Sequence, residues 1–379
     1  MRTQLKRLAA AGSAGALLAA AGCGGNDPVD LRAYELLPGM PEYLTSDNVY
    51  GGAGPEMFAE HVRDHPAVVY AASYRDDEVY IIDQATGEVV DIVPGGPGPR
   101  YIVPGYDLST LYVAASDPTD SGLVVIDPAN NSPADFVDLP EISNLYFAPD
   151  GTYAIAVAET AGGLDFYHPN SWQHAGSLDL PGCHGASHLD YSADGRTMLV
   201  SCAGAGKVVA LATDSLDQLA EFDFTEQDAS SPQDVRLTPD GQYFLVADAG
   251  AGGVQLLAGD ASTVSGFVAT GEGAHAIYFS RDAQHAYVVN RDEANVTVLD
   301  LGSFSAVAEW PVPTSTLDLG GVNADGTLLW LAGGDDEVYA IDTDSGELRT
   351  RTTVGPGTYS VTVWPQPGRY SLGHTGSLR

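Results

Sequence analysis

Apolar and polar positions alternate in short runs, separated by turn residues, from Ala67 to Trp364. The stretch Asp282 to Leu301 shows the unit: a turn, a strand over Ala286–Asn290, a loop, and a strand over Asn295–Asp300. A third strand is expected over Ala306–Val312 and a fourth over Leu317–Val322. The end of the third strand of each unit falls at Asp83, Asp127, His168, Thr213, Ala258, Asp300 and Asp342, in steps of 41 to 45 residues. A second landmark keeps phase with it. Asp150-Gly151, Asp194-Gly195, Asp240-Gly241 and Asp325-Gly326 precede the second strands, with Asp282-Ala283 and Asp107-Leu108 as variants. Asp-Gly supplies the positive φ that tight hairpin turns need. Four short strands per period predict an all-β fold, a seven-bladed β-propeller of four-stranded blades over residues 67–364. Such units cannot bury both faces alone and must stack around an axis.

The two ends of this pattern fit each other. The first unit starts at its second strand, Ala67–Ser73, while Tyr359–Trp364 has strand character and no unit of its own. The ring is therefore expected to close by a C-terminal strand, which leaves no open blade edge. Residues 365–379 are expected as a tail packed across one face, with Arg369 and Arg379 meeting acidic loops. Residues 23–66 read as a tether and N-terminal extension, with a short helix over Glu56–Asp64.

Length alone, at 379 residues, would suggest two or three domains. The repeat overrides that reading. Residues 1–22 read as a signal peptide: Arg2, Lys6 and Arg7 precede a small, apolar run from Leu8 to Ala21. Ala20-Ala21-Gly22-Cys23 resembles a bacterial lipobox, with Ala20 where Leu is usual, which implies lipidation at Cys23. The expectation is an exported protein of the cell envelope, periplasmic or at the cell surface, held to the membrane by a lipid anchor only. Cys183 and Cys202 then remain as a pair in an oxidising compartment, on either side of the Asp194-Gly195 turn. A disulfide between them is expected, and two separate buried thiols are the other reading.

The formal charge is −35, and Lys occurs only at Lys6 and Lys207. Such a surface repels nucleic acid. Near-absence of Lys with excess Asp resembles proteins of salt-loving organisms, a halophilic adaptation to the solvent.

Tyr287-Val288-Val289-Asn290, followed by Asn295 to Asp300, resembles the YVTN-type propeller repeat. Tyr112 to Ala115 with Leu123 to Asp127 is a second copy, and Val79–Asp83 and Val338–Asp342 match its second half. The resemblance implies the propeller fold over about residues 67 to 364. It does not imply one function, since that family includes ligand carriers, cell-surface proteins and propellers of cofactor enzymes. Cys183-His184-Gly185 with Cys202 is locally similar to periplasmic zinc metallochaperones built on propellers, although their His-rich loop is absent here.

Propeller sites usually lie where loops enter the innermost strands. Alignment on the Asp turns places Asn144, His188 and Asp234 at equivalent positions, with Arg100, Gln233 and His275 one residue earlier in their units. Neighbours in a regular strand point to opposite faces, so one of the two sets is expected to face the channel. Arg100, Asn144, His188, Asp234 and His275 are the candidate ligand-binding residues, able to hold an anion, a small polar ligand or a metal. Imidazole and carboxylate suit Zn or Cu, and His184-x-x-x-His188 is the candidate metal pair. A hydrated polar channel bonding to backbone and water is the other reading of these residues. His61 and His65 have i, i+4 spacing and could grip a metal if helical. No hydrolase elbow, zinc-protease helix, haem or phosphate-loop motif occurs. The expectation is therefore a non-enzymatic ligand-binding or protein-interaction module, monomeric, whose partner is a small ligand or an envelope protein. The alternatives are a metal-binding, metallochaperone-like or cofactor-associated propeller, and a lactonase-type hydrolase.

Overall fold

The structure is a computed structural model that describes residues 30–117, 120–158, 162–225, 229–374 and 376–379. The signal segment and Cys23 lie outside the described residues.

The chain forms antiparallel sheets set around an axis, each buried at its innermost strand and exposed at its outermost. In one sheet, Pro99–Pro104 is almost wholly buried, while Ser132–Asp138, three strands further out, is exposed along most of its length. The inner strands are Pro99–Pro104, Asn144–Phe147, Ala186–Tyr191, Pro232–Leu237, Ala274–Phe279, Leu317–Val322 and Thr358–Trp364. The hairpin turns behave as the sequence implies. Gly151, Gly195, Gly241 and Gly326 all take positive φ, and the Asp before each accepts the backbone N–H two residues on. Much of the acidic composition is thus turn chemistry.

The expected seven separate four-stranded blades are not what forms. Five sheets have four strands, and the remaining eight strands make one continuous sheet. Its seam is a parallel pairing of two inner strands, Leu319 with Ser360. Ser360 on the C-terminal strand is small and fully buried at this seam. The C-terminal strand sits in the middle of this sheet. It pairs antiparallel with Val68–Ser73, from Val68 opposite Trp364 to Ala72 opposite Ser360.

Cys183 and Cys202 are joined by a disulfide, with Cα atoms 4.9 Å apart. It ties the loop leading into Ala186–Tyr191 to the end of the next strand, Thr197–Cys202.

Two segments outside the repeat cover the trailing ends of the inner strands. The first runs from Asp30 to Pro66. Leu31, Leu37, Met40, Tyr43 and Val49 bury their side chains against the hairpin turns. Leu37 N–H donates to Asp194 O at 2.7 Å and Val49 N–H to Pro239 O at 2.7 Å. Glu56–Asp64 forms turns rather than the expected helix. His61 and His65 accordingly go separate ways: His61 Nε2 lies 3.0 Å from Asp107 O, and His65 Nδ1 accepts from Trp364 Nε1–H.

The second segment is the tail, and it does not lie flat. It enters the channel, bonding to Tyr106 O through Ser371 N–H and to Leu145 O through His374 N–H, then folds back so that Arg379 N–H reaches Tyr370 O. The approach is closest at Gly373, whose φ is +99° and where a Cβ would sit 2.4 Å from Leu145 O. Only glycine fits there. Tyr370, Leu372, His374, Leu378 and Arg379 are all buried.

Candidate ligand site at the channel

The leading ends of the inner strands carry the polar residues singled out from the sequence. Asn144, His188, Asp234 and His275 are all buried at the axis. Arg100 is half-buried beside them, its guanidinium 5.3 Å from the Tyr101 ring centroid and 5.9 Å from that of Tyr359. Strict alternation would have put His275 on the opposite face from His188 and Asp234. The pairing register shifts between Ala186 and Leu189, between Pro232 and Val235, and between Ala274 and Ala276. A bulge re-aims side chains locally, so members of both sets face the axis. The His188 and His275 rings meet edge to face at 6.2 Å.

His184 does not join them. It is exposed on the incoming loop, while His188 is buried. The spacing meant nothing without a helix to put both side chains on one face.

His374, from the tail, takes the place that His184 was expected to fill. Its ring lies 4.7 Å from that of His188 and stacks on Tyr146 at 5.9 Å. Nδ1 is 2.9 Å from the Asn144 amide nitrogen, and Nε2 is buried with no partner among the described residues. His188 is held in the same manner, its Nδ1 3.0 Å from Tyr146 Oη. Asp234 Oδ2 accepts from Arg236 Nε at 3.1 Å and from Ile277 N–H at 3.0 Å. One ligand atom each from His188, Asp234 and His374 lie within 4.8 Å of one another. Asp318, Arg291 and His275 extend the cluster outward. Arg291 is paired with Asp318, whose Oδ1 is 3.8 Å from His275 Nδ1, too long for a hydrogen bond.

Burial governs the electrostatics. It pulls the His188 pKa down to about 3, with the cations of Arg236, Arg100 and Arg291 pushing the same way. Burial and neighbouring positive or titratable groups also hold His275 and His374 well below the usual imidazole range. All three rings are neutral near pH 7. Burial raises Asp234 and Asp318 against the opposing pull of Arg236 and Arg291.

A pH dependence of stability follows. A histidine whose folded pKa is depressed is neutral in the native state but charges in the unfolded chain below about pH 6.5. The unfolded state then binds more protons, so stability is full above about pH 6.5 and falls as pH drops toward about 3. Each such ring costs about 1.4 kcal/mol per pH unit in that window. The raised carboxylates act in the opposite sense, so the contribution of one ring is read by comparing a variant lacking it with the parent. Denaturant unfolding of His188→Gln should show a slope against pH shallower than the parent's by about one such increment. An unchanged slope would mean that His188 is not held neutral.

The fold and this cluster define a β-propeller whose channel is stopped by its own tail and lined, where the tail ends it, by neutral imidazoles and ion-paired carboxylates. The chain belongs to the YNCE-like beta-propeller family, which matches residues 58–365. Among solved structures it is similar to a functionally unknown protein from Desulfotomaculum acetoxidans, at 17% identity over 78% of this chain and 98% of that one, with a TM-score of 0.66. A Lactobacillus plantarum protein is 15% identical over 79% and 99%, with a TM-score of 0.65. Hydrazine synthase from Kuenenia stuttgartiensis is 15% identical over 71% and 90%, with a TM-score of 0.59. At these identities the likeness is one of fold. No curated protein matches the chain.

Proposed function

We propose that this is an exported, lipid-anchored, non-enzymatic binding propeller that holds a divalent transition metal, of the zinc or copper kind, at the blind end of its channel. The observation that carries the reading is the His188–Asp234–His374 cluster, three buried groups with ligand atoms within 4.8 Å. Neutral imidazole and carboxylate are the donor set such metals prefer. Each ring is also fixed through Nδ1 by an outer partner, Tyr146 or Asn144, which turns Nε2 inward in the way supporting residues orient metal-binding histidines. Donor atoms around a metal bound at about 2.1 Å lie roughly 3.4 Å apart, so binding draws the three groups together by about an ångström. It also places the His374 proton on Nδ1, with the Asn144 amide turned to accept it. Export and anchoring rest on residues 1–22 and Cys23.

One observation favours a second occupant of the same place. With Asn144 donating to Nδ1, His374 offers Nε2–H to an acceptor atom, which suits a small polar ligand instead. Titration calorimetry with zinc chloride on chelator-free protein separates the two. One zinc site is expected, lost in His188→Ala and in His374→Ala and retained in His184→Ala. Failure of zinc, copper and cobalt to bind the intact chain would overturn the metal reading in favour of the polar ligand.

A further inference from the structure

A second site lies on the other side of Arg236, under the tail. A cleft of about 70 Å³ lies between the N-terminal segment (Asn48, Tyr50, Ala53), the inner-strand region around Tyr278 to Arg281, and the tail (Gln366, Gly376, Leu378). That is room for several waters or for one small ion with a water. Its wall holds two guanidiniums, Arg236 and Arg281, and no carboxylate, in a chain with 51 acidic residues.

The two cations differ in what balances them. Arg236 is buried, pairs with Asp234 through Nε and donates Nη1 to Ser377 Oγ. Its Nη2 has no hydrogen bond among the described residues. Arg281 donates only to neutral oxygens: Asn323 O at 3.1 Å, Val322 O at 2.9 Å, Ala53 O at 3.4 Å and Gln366 Oε1. On its other side Arg281 shares a second pocket with Asp282, Asp325 and Asp344; Asp325 acts on it at a distance, and none of the three forms an ion pair with it. A partly buried guanidinium without a counter-charge is unfavourable, and oxyanions and halides are what such a fork binds.

We propose that this cleft binds a small inorganic anion, chloride or an oxyanion of phosphate size, between Arg281 and Arg236. The anion neutralises Arg281 and bridges three parts of the chain that Arg281 already touches: the N-terminal segment at Ala53, the inner-strand region at Val322 and Asn323, and the tail at Gln366. It stands apart from the metal reading, because none of His188, Asp234 and His374 lines the cleft.

The test is chloride-35 line broadening by the full chain at fixed ionic strength. Excess line width is expected, reversed by phosphate and lost in Arg281→Gln. Ala53→Leu, which fills the cleft while keeping both guanidiniums, should lose it as well and decides the matter if Arg281→Gln does not fold. Line width unchanged in the folded variants overturns the proposal. Native crystals soaked in bromide give a reading that needs no variant: an anomalous peak between the two guanidiniums supports the site, and its absence overturns it.

Discussion

A chain ended at Gly357 is expected not to reach the native state, and one ended at Pro365 is expected to fold with at least about 5 kcal/mol less stability. The first loses Thr358–Trp364, which pairs with Val68–Ser73 on one side and touches Leu317–Val322 on the other. Val361, Val363 and Trp364 are fully buried. Without them the strand Val68–Ser73 presents an unpaired edge to the channel, and the ring has no closure. The second keeps the strand but loses the tail. Removing the tail alone should cost much less than removing the closing strand, but its docking in the channel makes even that loss large: Tyr370, Leu372 and Leu378 are buried, each worth roughly 1.5–3 kcal/mol. Opening the channel also exposes Tyr146 and the apolar residues beneath it. Circular dichroism and denaturant melts of both chains check this. A chain ended at Pro365 that melts like the parent would show that the tail is not seated in the channel.

The contrast between these two ends shows what the pattern of residues could and could not convey. The period was legible because turn chemistry recurs in phase, Asp-Gly before the second strand in four units and Asp at the end of the third strand in four, and local chemistry is written in adjacent residues. The pairing of Cys183 with Cys202 was legible for a related reason: both flank one hairpin, so their separation is set by that hairpin alone. Asn144, His188 and Asp234 could be aligned because a position counted from a turn is a position in space.

His275 and His188 were both legible as candidates, but not that they share one face, because strict alternation separates them and the register shifts that bring them together leave no mark in residue type. Asp318 occupies the same offset as His275 and Arg100, one residue before the aligned position, and that offset was the available signal for it. His374 gave none. It belongs to a segment outside the repeat, and where such a segment docks depends on a cavity that exists only once the sheets are assembled. The same holds for the eight-stranded sheet. Its seam, Leu319 with Ser360, joins residues brought together by closure rather than by any turn.

Arg379→Ala should cost about 3–5 kcal/mol, the range for removing one partner of a buried ion pair. Arg379 is 1% exposed and donates Nη2 to Asp190 Oδ1 at 3.1 Å and to Tyr191 O at 3.0 Å, with Nη1 toward Tyr43 Oη at 3.3 Å. Asp190 is 2% exposed, and its cation arrives only with the tail. Take the arginine away and a carboxylate remains in the interior, held by Leu237 N–H at 2.7 Å and Tyr191 N–H at 2.7 Å but without a counter-charge. Those two bonds keep the cost from rising further, since a carboxylate given backbone donors is partly compensated. The pair itself need not be a net stabiliser: desolvating both charges offsets much of their attraction. The double variant Arg379→Met, Asp190→Asn should therefore recover most of the loss, because Met keeps the volume and Asn keeps an oxygen for Leu237 N–H. Equilibrium unfolding of the two single variants and the double one separates these terms. A single Arg379→Ala within about 1 kcal/mol of the parent would place Asp190 in contact with water, and the tail outside the channel.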